Sequence, residues 1–132
     1  MTRTEFDFQR VINPVELSDF FNIYWEKQPL VISRKKPDFY ADLLSITDID
    51  HIISSTDLRY PAFRLIKNGS QIPIQKYTSD FSLGNDVFSN VADVDRLLYE
   101  YGQGATIALQ ALQRNWRPLS FLCRNLEKHL VT

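Results

Sequence analysis

The chain has 132 residues, 44% of them apolar, with nine Phe, six Tyr and two Trp and a formal net charge of −1. That is enough material for one compact domain spanning 1–132 with a packed core, and it excludes a globally disordered chain. The near-neutral charge argues against a dedicated nucleic-acid surface, so no direct nucleic-acid binding is expected. No apolar run approaches the roughly 20 residues of a membrane span, and the opening residues lack a signal peptide's apolar stretch. Cys123 is the single cysteine, so no disulfide forms within the chain. A cytoplasmic protein without a membrane partner is the expectation.

In chain order, the first helix is signalled by Asn13 as N-cap, Pro14 at the first helical position and Glu16 where a capping box wants an acid. Leu17, Phe20, Phe21 and Tyr24 make its apolar face, and Pro29 ends it near Gln28. Leu30, Val31 and Ile32 form a short strand candidate, and Arg34, Lys35, Lys36 and Pro37 a loop. Asp38 caps a short helix carrying Phe39, Tyr40, Leu43 and Leu44. Ser45 or Thr47 starts another, with Ile49, Ile52 and Ile53 inward.

Residues 62–67 read as a strand, Asn68-Gly69 as a tight turn, and Gln71, Ile72, Ile74 and Lys76 as the return strand, with Pro73 marking an edge or bulge. Residues 79–90 are polar and read as a loop around Gly84-Asn85-Asp86. Val94, Leu97, Leu98 and Tyr101 make a helix closed by Gly102. Residues 106–112 are the strongest strand pattern; both faces are mostly apolar, so cover is expected on both sides. Pro118 opens a last helix with Leu119, Leu122, Leu126 and Leu130 on one side. The mixture defines an α+β fold, helices packed on short antiparallel strands.

Three stretches, in this order, resemble the cupin-like JmjC oxygenases of the ribosomal-oxygenase type. The first runs from Phe21 through Tyr24-Trp25 to Pro29-Leu30-Val31-Ile32. The second is Phe39-Tyr40-Ala41-Asp42-Leu43-Leu44-Ser45 with Asp48-Ile49-Asp50. The third is Gly104-Ala105-Thr106-Ile107-Ala108-Leu109-Gln110-Ala111-Leu112, then Trp116-Arg117-Pro118-Leu119 and Cys123-Arg124-Asn125-Leu126-Glu127. The resemblance implies the N-terminal region and opening barrel strand of a double-stranded β-helix, hence an incomplete portion of that architecture. For a full-length relative it implies Fe(II) held by a His-x-Asp pair and a distant second His, with 2-oxoglutarate as cosubstrate and protein side chains, including those of ribosomal proteins, as substrates.

The chain ends at Thr132 before such a motif, and neither of its histidines fits: His51 is followed by Ile52-Ile53, His129 by Leu130-Val131. No catalytic, cofactor-binding or metal-binding residue is therefore assigned, and the chain alone is expected to be inactive and to bind no cofactor. The alternative is a stand-alone protein-interaction module derived from that family, with a protein partner or self-association.

The remaining candidates each have a plain structural reading beside the functional one. His51 with Asp48 and Asp50 suggests a metal cluster but equally suits an acidic first helical turn. His129 suits a helix C-terminus, and Cys123 a half-buried structural thiol. Arg34, Lys35 and Lys36 with Lys27 form a basic run that reads as a solvated loop. Trp25 and Trp116 read as packing aromatics rather than substrate platforms. Gly102-Gln103-Gly104 lacks the residues of a phosphate loop and reads as a helix stop. Gln110, the polar residue on its side of the last strand, is the candidate to face a cavity, against a satisfied buried amide. Arg64 is a candidate for a groove rim, against a surface ion pair.

Overall fold

A computed structural model describes residues 5–130. The chain divides into two compact units, one formed by residues 1–45 with 116–132 and the other by residues 46–115.

The first unit is built on aromatic rings. Helix α1, Phe8–Ile12, begins where the Asp7 side chain accepts a hydrogen bond from the Arg10 backbone N–H (2.8 Å). The Phe8 N–H, one of the orphan donors of this first turn, is satisfied by Asn125 Oδ1 at 2.8 Å. Asn125 lies on the last helix, α5, Arg117–Leu130, so one side chain ties the two ends of the unit together. Phe6, Phe8, Ile12 and Leu122 are buried. Phe8 meets Phe20 edge-on at 5.2 Å between centroids, and Phe6 meets Phe39 in the same way at 5.8 Å.

The helix expected from Asn13 begins later, at α2, Leu17–Asp19. Its start is secured by the preceding helix. Gln9 Oε1 accepts from the Leu17 N–H (3.1 Å), while Gln9 Nε2 donates to the Val15 carbonyl (2.8 Å). A long side chain of α1 thus does the work assigned to Asn13. From Phe20 to Tyr24 the ladder widens to a π turn, in which the Trp25 N–H reaches the Phe20 carbonyl at 2.8 Å. The chain then turns at Glu26, φ +58°, so the helix stops ahead of Pro29. Leu30–Ile32 has no regular structure and pairs with no strand among the described residues, and Val31 is 88% exposed. Residues 37–43 form successive turns rather than the expected helix.

The second unit opens with α3, Ile46–Ser55, which buries Ile52 and Ile53 as its spacing requires. A three-stranded antiparallel sheet follows, in the order β2-β1-β5: β1 is Phe63–Lys67, β2 is Ser70–Gln71 and β5 is Thr106–Leu109. Asn68 (φ +53°) and Gly69 (φ +76°) both take the left-handed conformation that a two-residue I′ loop demands. The return strand is short, because the chain passes through Pro73 into a 3₁₀ turn at Ile74–Lys76.

Residues 79–90, expected as a loop, are a hairpin: β3, Thr78–Leu83, pairs with β4, Asp86–Ala92. Gly84, φ +63°, occupies the first of two loop positions. Between the Ser79↔Val91 and Phe81↔Phe88 pairs, β4 carries one extra residue. Asn90 absorbs it at φ +59°, its N–H donating to Asp80 Oδ1 at 3.2 Å. Helix α4, Val94–Gly102, follows, capped by Asp93. Strand β5 stops at Leu109, not Leu112, because Ala111 takes a left-handed conformation (φ +51°, ψ +42°) and leads into a 3₁₀ turn. The core of this unit is Ile52, Phe63, Leu65, Tyr77 and Leu97, all 0% exposed. The fold is thus α+β, helices with antiparallel strands. Among the described residues no helix is long and apolar enough to cross a membrane.

Candidate functional site

Strand β1 buries Phe63 and Leu65, so the pleat sends Arg64 and Ile66 to the other, half-exposed face. The β1–β5 register sets Arg64 opposite Ala108. Ala108 is too short to block a long side chain, and the Arg64 guanidinium meets the Gln110 amide. One more backbone bond beyond the paired strands, Gln110 N–H to the Ala62 carbonyl at 2.7 Å, holds Gln110 in place. The Gln110 amide has one orientation that satisfies its neighbours. In it Nε2 donates to the Pro61 carbonyl (3.0 Å), and Oε1 accepts from Arg64 Nε (3.1 Å) and from Nη2. The two residues singled out separately in the sequence therefore meet on one sheet face. Among the described residues Arg64 makes no ion pair. A half-buried cation is held there by a neutral amide, with Nη1 left over.

The same face borders an open edge. Strand β5 pairs with β1 on one side and with no described strand on the other.

The other candidates take structural places. Arg34 is not simply solvated: Nε donates to the Asn13 carbonyl (3.0 Å) and Nη2 to the Val11 carbonyl (2.5 Å), capping the C-terminal end of α1. Its guanidinium also lies 3.8 Å from the centroid of the Phe39 ring. Lys35 and Lys36 stay exposed at a shallow pocket of about 480 Å³ that Phe39 and Tyr40 also line. Lys27 Nζ caps the Asn22 carbonyl at 2.6 Å. Trp116 Nε1 donates to the Leu43 carbonyl at 2.8 Å, while Trp25 rests on Phe20 at 6.0 Å. His129 lies in the last turn of α5, 5.7 Å from the Phe8 ring, and Cys123 is half-buried on the same helix. Asp48 is buried on α3, with Asp50 and His51 exposed. Gln103 donates back to Tyr99 and Glu100, and Gly104 follows at φ +98°, a helix stop.

Among the described residues no three His, Cys, Asp or Glu side chains are grouped to hold a metal. Neither His51 nor His129 is followed by an acid two positions on, and no chemical step is derived through an iron centre.

Two features escaped the sequence. At Asp93, Arg96 Nε donates to Oδ2 (2.9 Å) and the Arg96 N–H to Oδ1 (3.3 Å), and these bonds hold the carboxyl below its ordinary range. On the hairpin, Phe81 (52% exposed), Leu83 (64%) and Phe88 (36%) share one face. A two-residue Gly84-Asn85 loop between Phe81–Leu83 and Val87–Phe88 was its sequence signal.

No protein-family model matches the chain, and no solved structure matches it. Partial relatives exist. A protein of Aedes aegypti named bifunctional lysine-specific demethylase and histidyl-hydroxylase NO66 is 43% identical over 53 residues, 40% of this chain and 8% of the relative. Ribosomal oxygenase 1 of Danio rerio is 33% identical over 72 residues, 54% of this chain and 12% of the relative. Ribosomal oxygenase 1 of Gallus gallus is 34% identical over 53 residues, covering 40% and 9%. The chain thus spans about a tenth of the length of these curated relatives, and the matches cover 40–54% of its own length.

Proposed function

We propose that the chain is the N-terminal portion of an Fe(II)- and 2-oxoglutarate-dependent protein hydroxylase, inactive by itself, that contributes an outer helical layer and an opening barrel strand to the whole enzyme. The observation that carries this is the 33–43% identity, over 40–54% of the chain, to relatives named ribosomal oxygenase or demethylase and histidyl-hydroxylase, set against 8–12% of their length. In this reading residues 1–132 act as one N-terminal region, and the iron and 2-oxoglutarate sites belong to residues outside it. Gln110 and Arg64 then face the cavity near cosubstrate or substrate. The substrate is a protein, with a ribosomal protein the first class to test given the relatives' name. The protein acts in the cytoplasm, without binding nucleic acid or membrane directly.

An immunoblot of source cells with an antibody to this chain tests the reading. The expected band lies well above 15.4 kDa. A single band at the chain's own mass overturns it.

A second reading, a protein-interaction module without catalysis, is favoured by one observation: among the described residues β5 pairs on one side only, and its residues carry no charge. Natural edges are commonly protected by lysine, proline or a bulge, and Thr106–Leu109 carries none of these.

A further inference from the structure

We propose that the loop end of the β3–β4 hairpin binds an arginine-bearing segment of a partner protein, the guanidinium lying on the Phe81 and Phe88 rings and pairing with the Asp86 carboxylate. The inference rests on the protein partner that both readings above share, and it names that partner's chemistry.

Strand register defines the face. Phe81 stands opposite Phe88, and Leu83 opposite Asp86, so these four residues share one side of the hairpin. All four are exposed. Ser82 and Val87, a register pair on the other side, are exposed as well, so the tip projects from the core of its unit. The ladder closes within the chain at the Gly84-Asn85 loop, so this face is made by two strands paired with each other and not by an unpaired edge. Large apolar side chains gathered on one exposed face mark a place of contact.

Chemistry selects the occupant. The two rings lie 6.0 Å apart, tilted by 32°, and an aromatic face attracts a cation. The chain already uses Phe88 in this way, with the Arg59 guanidinium 5.7 Å from its centroid. Among the described residues Phe81 holds no cation. Asp86 is the diagonal neighbour of Phe81, about 7–8 Å away across the strands and within reach of one long side chain. Its carboxylate makes no ion pair among the described residues. Asp80 and Asp86 are the only charged residues of Thr78–Ala92. A planar guanidinium answers both features at once, stacking on a ring while its fork bonds a carboxylate. A second copy of the hairpin fits less well, because it brings a second Asp86 and no Lys or Arg to the same face.

The test uses the whole chain, isotope-labelled, titrated with two blocked peptides: acetyl-Val-Arg-Leu-Arg-Val-amide and the same peptide with citrulline, the neutral isostere, in place of arginine. The expected result is a shift of the amides of residues 81–88 with the arginine peptide and about tenfold weaker binding of the citrulline peptide. Asp86→Asn should narrow that difference to about threefold. Phe81→Leu keeps the apolar bulk and should narrow it as well, while leaving the citrulline peptide's binding in place. Equal binding of the two peptides to the unaltered chain would overturn the guanidinium assignment. No hairpin shift with either peptide would overturn the site itself. Concentration-dependent hairpin shifts without peptide would make a second copy the occupant and overturn the proposal. The peptide comparison needs no variant, so a substitution that disturbs the hairpin does not remove the test. None of these results alters the band expected in the immunoblot, so the enzyme reading stands or falls separately.

Discussion

Replacing Arg34 probes whether the basic run is a solvated loop or part of the frame. The Arg34 side chain is half-buried and gives one hydrogen bond to each of two carbonyls at the end of α1. Each is worth about 0.5–1 kcal/mol at this degree of burial. The contact with the Phe39 ring adds about 0.5–1 kcal/mol. Lysine keeps the charge but cannot span both carbonyls with a fork, so Arg34→Lys should cost about 1 kcal/mol and Arg34→Met about 2 kcal/mol. The assay follows from the sequence: Trp25 and Trp116, the two tryptophans of the chain, both belong to the first unit. Urea unfolding followed by tryptophan fluorescence therefore reports on the unit that contains Arg34. With a slope of about 1 kcal/mol per M, usual for a small unit, the midpoint should fall by about 1 M for Arg34→Lys and about 2 M for Arg34→Met. Lys35→Met serves as the control and should leave the midpoint in place. An Arg34→Lys midpoint within about 0.3 M of the parent would refute the capping argument.

Two further outcomes are expected. Phe63 is fully buried and meets Tyr77 edge-on at 5.6 Å, so Phe63→Ala should cost about 3–5 kcal/mol, most of what a unit of this size has; loss of amide dispersion for residues 46–115 with retained tryptophan emission would show it, and an unchanged spectrum would contradict it. Asp93 has a folded pKa below its unfolded value, so its contribution to stability is present above the ordinary carboxylate range and is lost as pH falls through the lowered folded value. Asp93→Ala removes the cap of α4 and should cost about 1 kcal/mol at neutral pH, with the difference from the parent shrinking in strong acid; a difference that persists unchanged there would argue against the charged cap.

Elements whose signals were local were legible in the sequence. Asn68-Gly69 defines its turn, α4 ends at Gly102 with the left-handed glycine at Gly104, Ile52 and Ile53 face inward, and Pro118 lies in the first turn of α5. What stayed hidden depended on side-chain contacts and strand pairings that residue type and spacing do not fix. Gln9 displaced Asn13 as the group that starts α2, and only the folded path brings α1 back to Leu17. The strand pattern at Leu30–Ile32 has the right residues but pairs with no described strand, and only Val31 is exposed. The hairpin at residues 78–92 was passed over because its polar residues outweighed the alternation of Phe81 and Leu83. Arg64 and Gln110 are separate signals in the sequence; their meeting is a matter of strand register, which single residues do not encode.

The first unit is discontinuous in sequence, and this sets an order of events during synthesis. Phe8 must wait for Asn125, 117 residues later, before its N–H is satisfied. The second unit is continuous and is completed while the first is still half-made. At about 5–20 residues per second, the roughly 70 residues between the two halves take about 4–14 s to emerge. Through that interval Phe8 lacks its two α5 partners, Asn125 and His129, so the growing chain keeps this part of its aromatic cluster open until α5 arrives.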